Sequence, residues 1–466
     1  MFELVQLTSI FTAAVCGLAL LAGSAHSASL GPVVEVEEDV YSFAQADNGA
    51  GPTWCHGSSC VVRVGEDLFA SGIEVIPDAK PLNNLRWQLF HRAGEGWELV
   101  GKGQGRTREP CPLAAFPDGE VFLSDNPTLT APDEYNGPAR PEVLAFSAAR
   151  PREPYRTLLP AWDGQPEFTE HSYRSFAADG RRKELILFQN VGYTHAEWSF
   201  RDDAGNWSAH GQLKWPWGAG YPEPQPIRVC YPTVALKDRK VYFCGVSDIV
   251  EPYPEWRACK KELSGRDWDY DFRRLFFTWS DDITTGRFHE WVEVSSRDNT
   301  CGWMMPCDLW VGPDGAVHLL WTERAIDERL RERFFPDEKQ SQALMYAVVR
   351  DGKVERKRPL VIVREGESGP TAGDGRFHVT GDGRLLVWYY QSGTGADGQR
   401  ISENRLLEVL PDGTQTESVK VPLEHPIRNA FTATWRAGCA PSDVLDVYGL
   451  RADAERVMAY ARIRIK

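Results

Sequence analysis

The stretch DLWVGPDGAVHLLWTE, Asp308–Glu323, decides the fold. A short apolar strand, a tight Gly-Pro-Asp-Gly turn and a second apolar strand follow one another, which is the pattern of a β-hairpin. The same pattern recurs along the chain at Cys60–Gly72, Pro112–Asp125, Tyr173–Asn190, Tyr231–Asp248 and Phe377–Gly393, and with a longer turn at Phe431–Leu450. Each hairpin is followed by further strand-like sequence, such as Leu85–Val100, Tyr193–Leu213 and Leu275–Val294. The repeat is therefore a four-stranded antiparallel unit, and successive turns lie roughly 50 to 75 residues apart.

Seven such units predict an all-β chain folded as a seven-bladed β-propeller of four-stranded blades. A double β-sandwich would not explain the regular spacing. The last unit offers only three strands, ending in RVMAYARIRIK at Arg456–Lys466, while Gly31–Phe43 is a strand with no hairpin partner. The N-terminal strand is thus expected to complete the final blade and remove an exposed edge. Two charged insertions interrupt the pattern, Ser247–Phe272 and Glu323–Gln340, and either could wall a cleft or form a solvated loop.

The 466 residues carry a formal charge of −14, which repels nucleic acid and anionic membranes, so an anionic ligand must meet a local basic cluster. The apolar run Ile10–Ala22, followed by the small residues of Gly23–Ala28, reads as a signal peptide, here taken as 1–27, with one propeller domain over 28–466. The run is too short to span a bilayer, so no membrane span is expected and the protein is placed outside the cytoplasm, secreted or periplasmic. In that compartment, Cys55 with Cys60, Cys301 with Cys307, and Cys230 with Cys244 are the expected disulfides. A zinc site or free core cysteines are the alternatives, and CHGSSC and CGWMMPC lack the ligand spacing of common zinc modules.

In a propeller, residues just before each inner strand converge on one face. Those positions hold Arg106 and Arg108, Glu170 and His171, Arg228 and Tyr231, Met305 and Asp308, Arg376 and His378, and Arg428 with Asn429. Several Arg side chains at one mouth make an anion site, because a guanidinium holds a carboxylate or sulfate through paired hydrogen bonds. His171 and His195 belong to one blade, and with Tyr231 on the next they could move protons. Histidines that merely bond a loop are the plainer alternative. Carboxylate pairs drawn from Glu170, Glu223, Asp248 and Asp308 would suit a glycosidase. Trp215, Trp217 and Tyr221 offer flat faces for sugar rings, or loop anchors.

The segments DDAGNW from Asp202 and SDDITTGRFHEW from Ser280 look like degenerate Asp-box turns, and the chain resembles the secreted bacterial sialidase-like propellers with BNR-type repeats. Within them it is similar to the seven-bladed polysaccharide lyases that cleave ulvan. That resemblance implies two His from one blade, a Tyr on the next and an Arg that neutralises a uronate. His171 and His195 match the His pair, Tyr231 matches the Tyr, and Arg257 matches the Arg loosely, with Arg228 and Arg376 as rival neutralisers. The chain thus reads as a lyase acting on an acidic, uronate-containing and possibly sulfated polysaccharide or oligosaccharide. Its catalytic residues would be His171, His195 and Tyr231, and its substrate-binding residues Arg228, Arg257, Arg376, His378 and Arg428. Such chemistry requires no cofactor, although a structural calcium or zinc ion is compatible with the sequence. A sialidase-like exo-glycosidase and a non-catalytic glycan- or protein-binding propeller are the alternatives. The sequence leaves oligomeric state open.

Overall fold

The computed structural model describes residues 30–466, so the expected signal segment lies outside the described residues. Seven four-stranded antiparallel sheets form the ring. Their inner strands are Val61–Val64, Leu113–Ala115, Arg174–Asp179, Val229–Lys237, Trp303–Val311, Thr371–Val379 and Ile427–Thr432, which number blades 1 to 7 in order. All seven hairpins read from the sequence form. Each inner strand begins at one face, here called upper, and its hairpin turn lies at the lower face. Strands alternate two buried faces, and adjacent blades share apolar clusters such as that of Ile186, Phe188 and Trp198 with Val234, Phe243 and Phe276.

The ring closes as expected. Pro32–Ser42 pairs antiparallel with Val457–Ile465 as the outer strand of blade 7. It also clasps blade 1, because Tyr41 stacks on Phe90 at 4.9 Å and its hydroxyl accepts the Ile73 amide at 3.1 Å. Glu38 receives two hydrogen bonds from Arg92, at 2.8 and 2.9 Å. Deleting residues 28–45 therefore exposes a sheet edge and opens the ring, and should lower the thermal midpoint by at least about 5 °C in calorimetry.

Two loops plug the axis. Cys55–Ser59 crosses the ring from the upper side, where the Ser58 hydroxyl accepts the Phe176 amide of blade 3 and the Ser59 hydroxyl donates to Thr432 O of blade 7. Gly57 has to be glycine, because a Cβ there would sit 1.8 Å from Pro232 O. The blade 7 hairpin, Thr434–Cys439, fills the axis from below. Its Arg436 binds Asp308 of blade 5 and donates to Gly57 O at 2.8 Å and Val234 O at 3.1 Å.

The expected disulfides are not formed. All nine described cysteines are buried free thiols. Cys55 and Cys60 touch at 3.2 Å between sulfurs, longer than the roughly 2.05 Å of a disulfide. Cys230 faces Val246 and Cys244 faces Thr233, so a strand bulge takes that pair out of register. Cys301 instead packs with Cys259 and Leu330, and Cys307 joins the core between blades 5 and 6. These residues act as small core side chains. Among the described residues, no three His, Cys, Asp or Glu side chains converge as a metal site requires. Among the described residues, no helix is long and apolar enough to cross a membrane.

His378 does not reach the upper mouth. It lies near the lower end of its strand, buried, with its Nε2 bonded to Ser442 O at 2.7 Å, and burial pushes its pKa down to about 4. The folded value is below the ordinary 6.5, so the unfolded chain takes up the proton first as pH falls. Its stabilising effect is complete above pH 6.5 and is lost towards pH 4, by about 3 kcal/mol at about 1.4 kcal/mol per pH unit. Urea unfolding of wild type and His378→Asn at pH 7.5 and pH 5 isolates this slope, which should be shallower in the variant.

Candidate active site

Four inner strands, those of blades 4 to 7, carry a register shift, near the upper end in blades 4, 6 and 7 and at mid-strand in blade 5. In blade 4 it lies between Cys230 and Thr233 and places Tyr231 at φ 51°. A bulky residue in the left-handed region is strained, and such bulges re-aim a side chain. Here the bulge turns Tyr231 into the mouth. Its ring lies among those of Trp54 at 5.8 Å, His56 at 5.7 Å, Tyr173 at 5.5 Å and Phe272 at 5.9 Å. Its hydroxyl pKa is driven far up, first by burial and then by the neighbouring Tyr173, Asp248, Cys230 and Glu109. Tyr231 therefore stays protonated at any working pH.

Two guanidinium groups flank this cluster. Those of Arg108 and Arg228 lie 5.9 and 5.6 Å from the centre of the Tyr173 ring. Arg228 also covers Tyr193 at 3.9 Å, and Tyr193 shares a 2.9 Å hydroxyl contact with Tyr270. Its own counter-ion is Asp248 at 2.8 Å. Arg108 is held loosely, 3.3 Å from Glu109 and 3.4 Å from Asn48 O, and its buried Nε has no partner among the described residues. Burial raises the Glu109 carboxyl above the usual carboxylate range in spite of Arg108, so that charge is under-compensated.

His171 stands at the rim, 46% exposed, with Nδ1 2.7 Å from Glu170. The second Glu170 oxygen accepts the Gly137 amide at 3.0 Å, and its carboxyl stays below the usual range: burial opposes this, but the bonds from His171 and Gly137 prevail. An ionised carboxylate on Nδ1–H leaves Nε2 as the free, basic nitrogen. His171 is also close enough to Glu109 for its charge to favour that carboxylate.

The other expected residues are engaged by partners of their own. Both nitrogens of His195 are occupied, Nδ1 by the Thr194 hydroxyl at 2.7 Å and Nε2 by Glu197 at 3.1 Å. Alternation turns His195 and Glu197 away from the Ala196, Trp198 and Phe200 face that packs on blade 4. Arg376 is buried within its strand and donates to Ala430 O, Cys307 O and His56 O, so it stitches the axial loop. Arg257 is on the outer side of helix α1, Pro254–Ser264, and donates to Asp267 O at 3.3 Å. Arg428 is exposed at the start of blade 7, near Asp374. Asp308 serves the axis. Trp215 and Tyr221 are buried and only Trp217 is exposed. The Asp-box-like turns lie at the lower face, where Asp202 and Asp282 accept the amides of Asn206 and Thr284.

Sequence reasoning missed His56 and Tyr173. His56 was hidden inside the presumed CHGSSC disulfide loop, although that loop directly precedes an inner strand. Burial lowers its pKa to about 4, so it is neutral. Two hollows of about 540 Å³ adjoin at Trp310 on the lower face, away from Tyr231.

No family model matches the sequence, and no curated protein matches it. Among solved structures, a protein of unknown function from Dyadobacter fermentans is similar at 9% identity, with 94% of this chain and 100% of that one covered and a TM-score of 0.45. A Penicillium chrysogenum alpha-L-arabinanase complexed with arabinobiose is similar at 12% identity over 93% of this chain and 98% of that one, TM-score 0.41. The Trypanosoma rangeli sialidase is similar at 10% identity over 81% of this chain and 59% of that one, TM-score 0.38. The assignment of the fold rests on the strand order itself: seven four-stranded sheets in a ring closed by the N-terminal strand.

Proposed function

We propose that the upper mouth of blades 1 to 4 binds and cleaves a uronate-containing polysaccharide by β-elimination, in an exported protein. The observation that carries this reading is the bulge that turns Tyr231 against the Tyr173 ring, which Arg108 and Arg228 flank, with His171 bonded through Nδ1 to Glu170 on the preceding blade. Arg108 and Arg228 would receive the uronate carboxylate and lower the pKa of the adjacent C5 proton. His171 Nε2 takes that proton, the C5–H electrons form the C4–C5 double bond, and the C4–oxygen bond breaks. Tyr231 donates its proton to the departing oxygen. Glu170 keeps the imidazole in the tautomer that accepts at Nε2 and stabilises the imidazolium that forms.

Each turnover creates an unsaturated uronate, which absorbs in the ultraviolet. Incubation with a panel of acidic polysaccharides should give rising absorbance with at least one of them. Reducing ends without absorbance would instead indicate a hydrolase, and binding without either product a non-catalytic propeller.

A further inference from the structure

We infer that His56, which the axial loop presents to the upper mouth, is a substrate contact that recognises a hydroxyl of the bound sugar; this rests on the reading above. The loop is fixed along its backbone. The carbonyls of Cys55, His56, Gly57 and Ser59 accept the Ser58 amide, Arg376, Arg436 and the Leu113 amide, at 2.9, 3.0, 2.8 and 2.7 Å. Both arginines are buried, so two guanidinium groups from blades 6 and 7 are committed to the consecutive carbonyls of His56 and Gly57.

One side chain is left out of this network. Neither ring nitrogen of His56 has a hydrogen-bond partner among the described residues, and neither is sealed from solvent. The ring stands edge-on to Tyr231, with 5.7 Å between centres and 80° between planes, and lies 5.9 Å from Trp54. By contrast, both nitrogens of His195 are occupied, and His171 gives Nδ1 to Glu170. A rigid support that leaves one polar ring open beside Tyr231 is the arrangement of a ligand contact, in which the ligand supplies the missing partners.

The charge state selects the group it meets. Burial, and then the charge of Arg376, push the His56 pKa down to about 4, so the imidazole is neutral at working pH and presents one donor and one acceptor. A sugar hydroxyl offers the complementary pair, whereas a carboxylate only accepts. So weak a base is also ill-suited to taking a proton from carbon near neutrality, which leaves His56 the role of holding the sugar.

Wild type, His56→Phe and His56→Asn are compared on hyaluronan, glucuronoxylan, alginate and polygalacturonate by the ultraviolet absorbance of unsaturated uronate. His56→Phe keeps a ring beside Tyr231 and should raise KM about tenfold, with turnover within about threefold and the pH profile unmoved. Asparagine restores a donor and an acceptor and should return KM to within about threefold of wild type. A second measurement needs no turnover. In the full chain carrying Tyr231→Phe, diethyl pyrocarbonate, which acylates an open neutral imidazole, should label His56. Saturation with the polymer that wild type cleaves should slow this labelling by about fivefold or more and leave the exposed His210 unprotected. An unchanged KM in His56→Phe, no recovery in His56→Asn, or lost turnover with a displaced pH profile overturns the inference while the elimination stands. The same holds if His56 is not labelled, or if the cleaved polymer does not slow its labelling. If no polymer is cleaved, protection of His56 by any of the four upholds the contact and rejects the elimination, and protection by none overturns both.

Discussion

Arg436→Met should cost about 3–5 kcal/mol of stability, the largest single-site loss expected in this chain, because it strands a buried charge. Asp308 is 1% exposed, and although its two oxygens accept the Leu309 and Phe377 amides, Arg436 is its only cationic partner among the described residues. The same substitution frees Gly57 O of the axial loop and Val234 O of blade 4 and loosens the loop that carries His56. Asp308→Asn should cost less, about 1–3 kcal/mol, since the guanidinium keeps its two carbonyl acceptors. Urea melts of the two single variants and the double variant give the coupling energy. The double variant should be more stable than the sum of the losses implies, because removing both charges removes the uncompensated one. A loss below about 1 kcal/mol for Arg436→Met would show that water reaches Asp308 and that the axis is not sealed.

The hairpins were legible because they are local: two apolar strands and a Gly-rich turn lie within twenty residues or so, and the backbone has few other ways to satisfy them. The closure was legible because one strand lacked a partner at each end of the chain. The axial plug was not legible. Gly57, Asp308 and Arg436 are scattered over most of the chain, and nothing in their neighbours separates them from surface residues. The rule that residues before an inner strand face the mouth succeeded for His171 and Arg228. It failed for Arg376 and His378 because their strand begins at Thr371, before the quoted hairpin, so both are interior positions on the way down the axis. The cysteine spacing suited disulfides, yet in tightly packed blades a free thiol fills the same small volume. Tyr231 was read as a mouth residue from its position in sequence alone, whereas the bulge with positive φ is what sets the direction of its side chain.

That bulge is why Tyr231→Phe is the most informative substitution at the site. Phenylalanine keeps the ring packing against Trp54, His56, Tyr173 and Phe272, so the fold and the aromatic face are preserved, and only the hydroxyl is removed. If Tyr231 protonates the departing oxygen, turnover should fall by about 10²-fold or more while KM stays within a few-fold, because the lost interaction is made in the transition state. His171→Ala should reduce turnover similarly, and Glu170→Gln should reduce it by a smaller factor, since the imidazole remains but its tautomer and its developing charge are no longer supported. Arg228→Ala should act differently and raise KM as well, because a contact to a ground-state carboxylate is lost, and Asp248 is left buried without its counter-ion. Full activity in both Tyr231→Phe and His171→Ala would remove these residues from the chemistry. The converse pattern, with turnover lost in both, KM kept, and KM changed in Arg228→Ala, assigns proton transfer to one side of the Tyr173 ring cluster and substrate charge to the other.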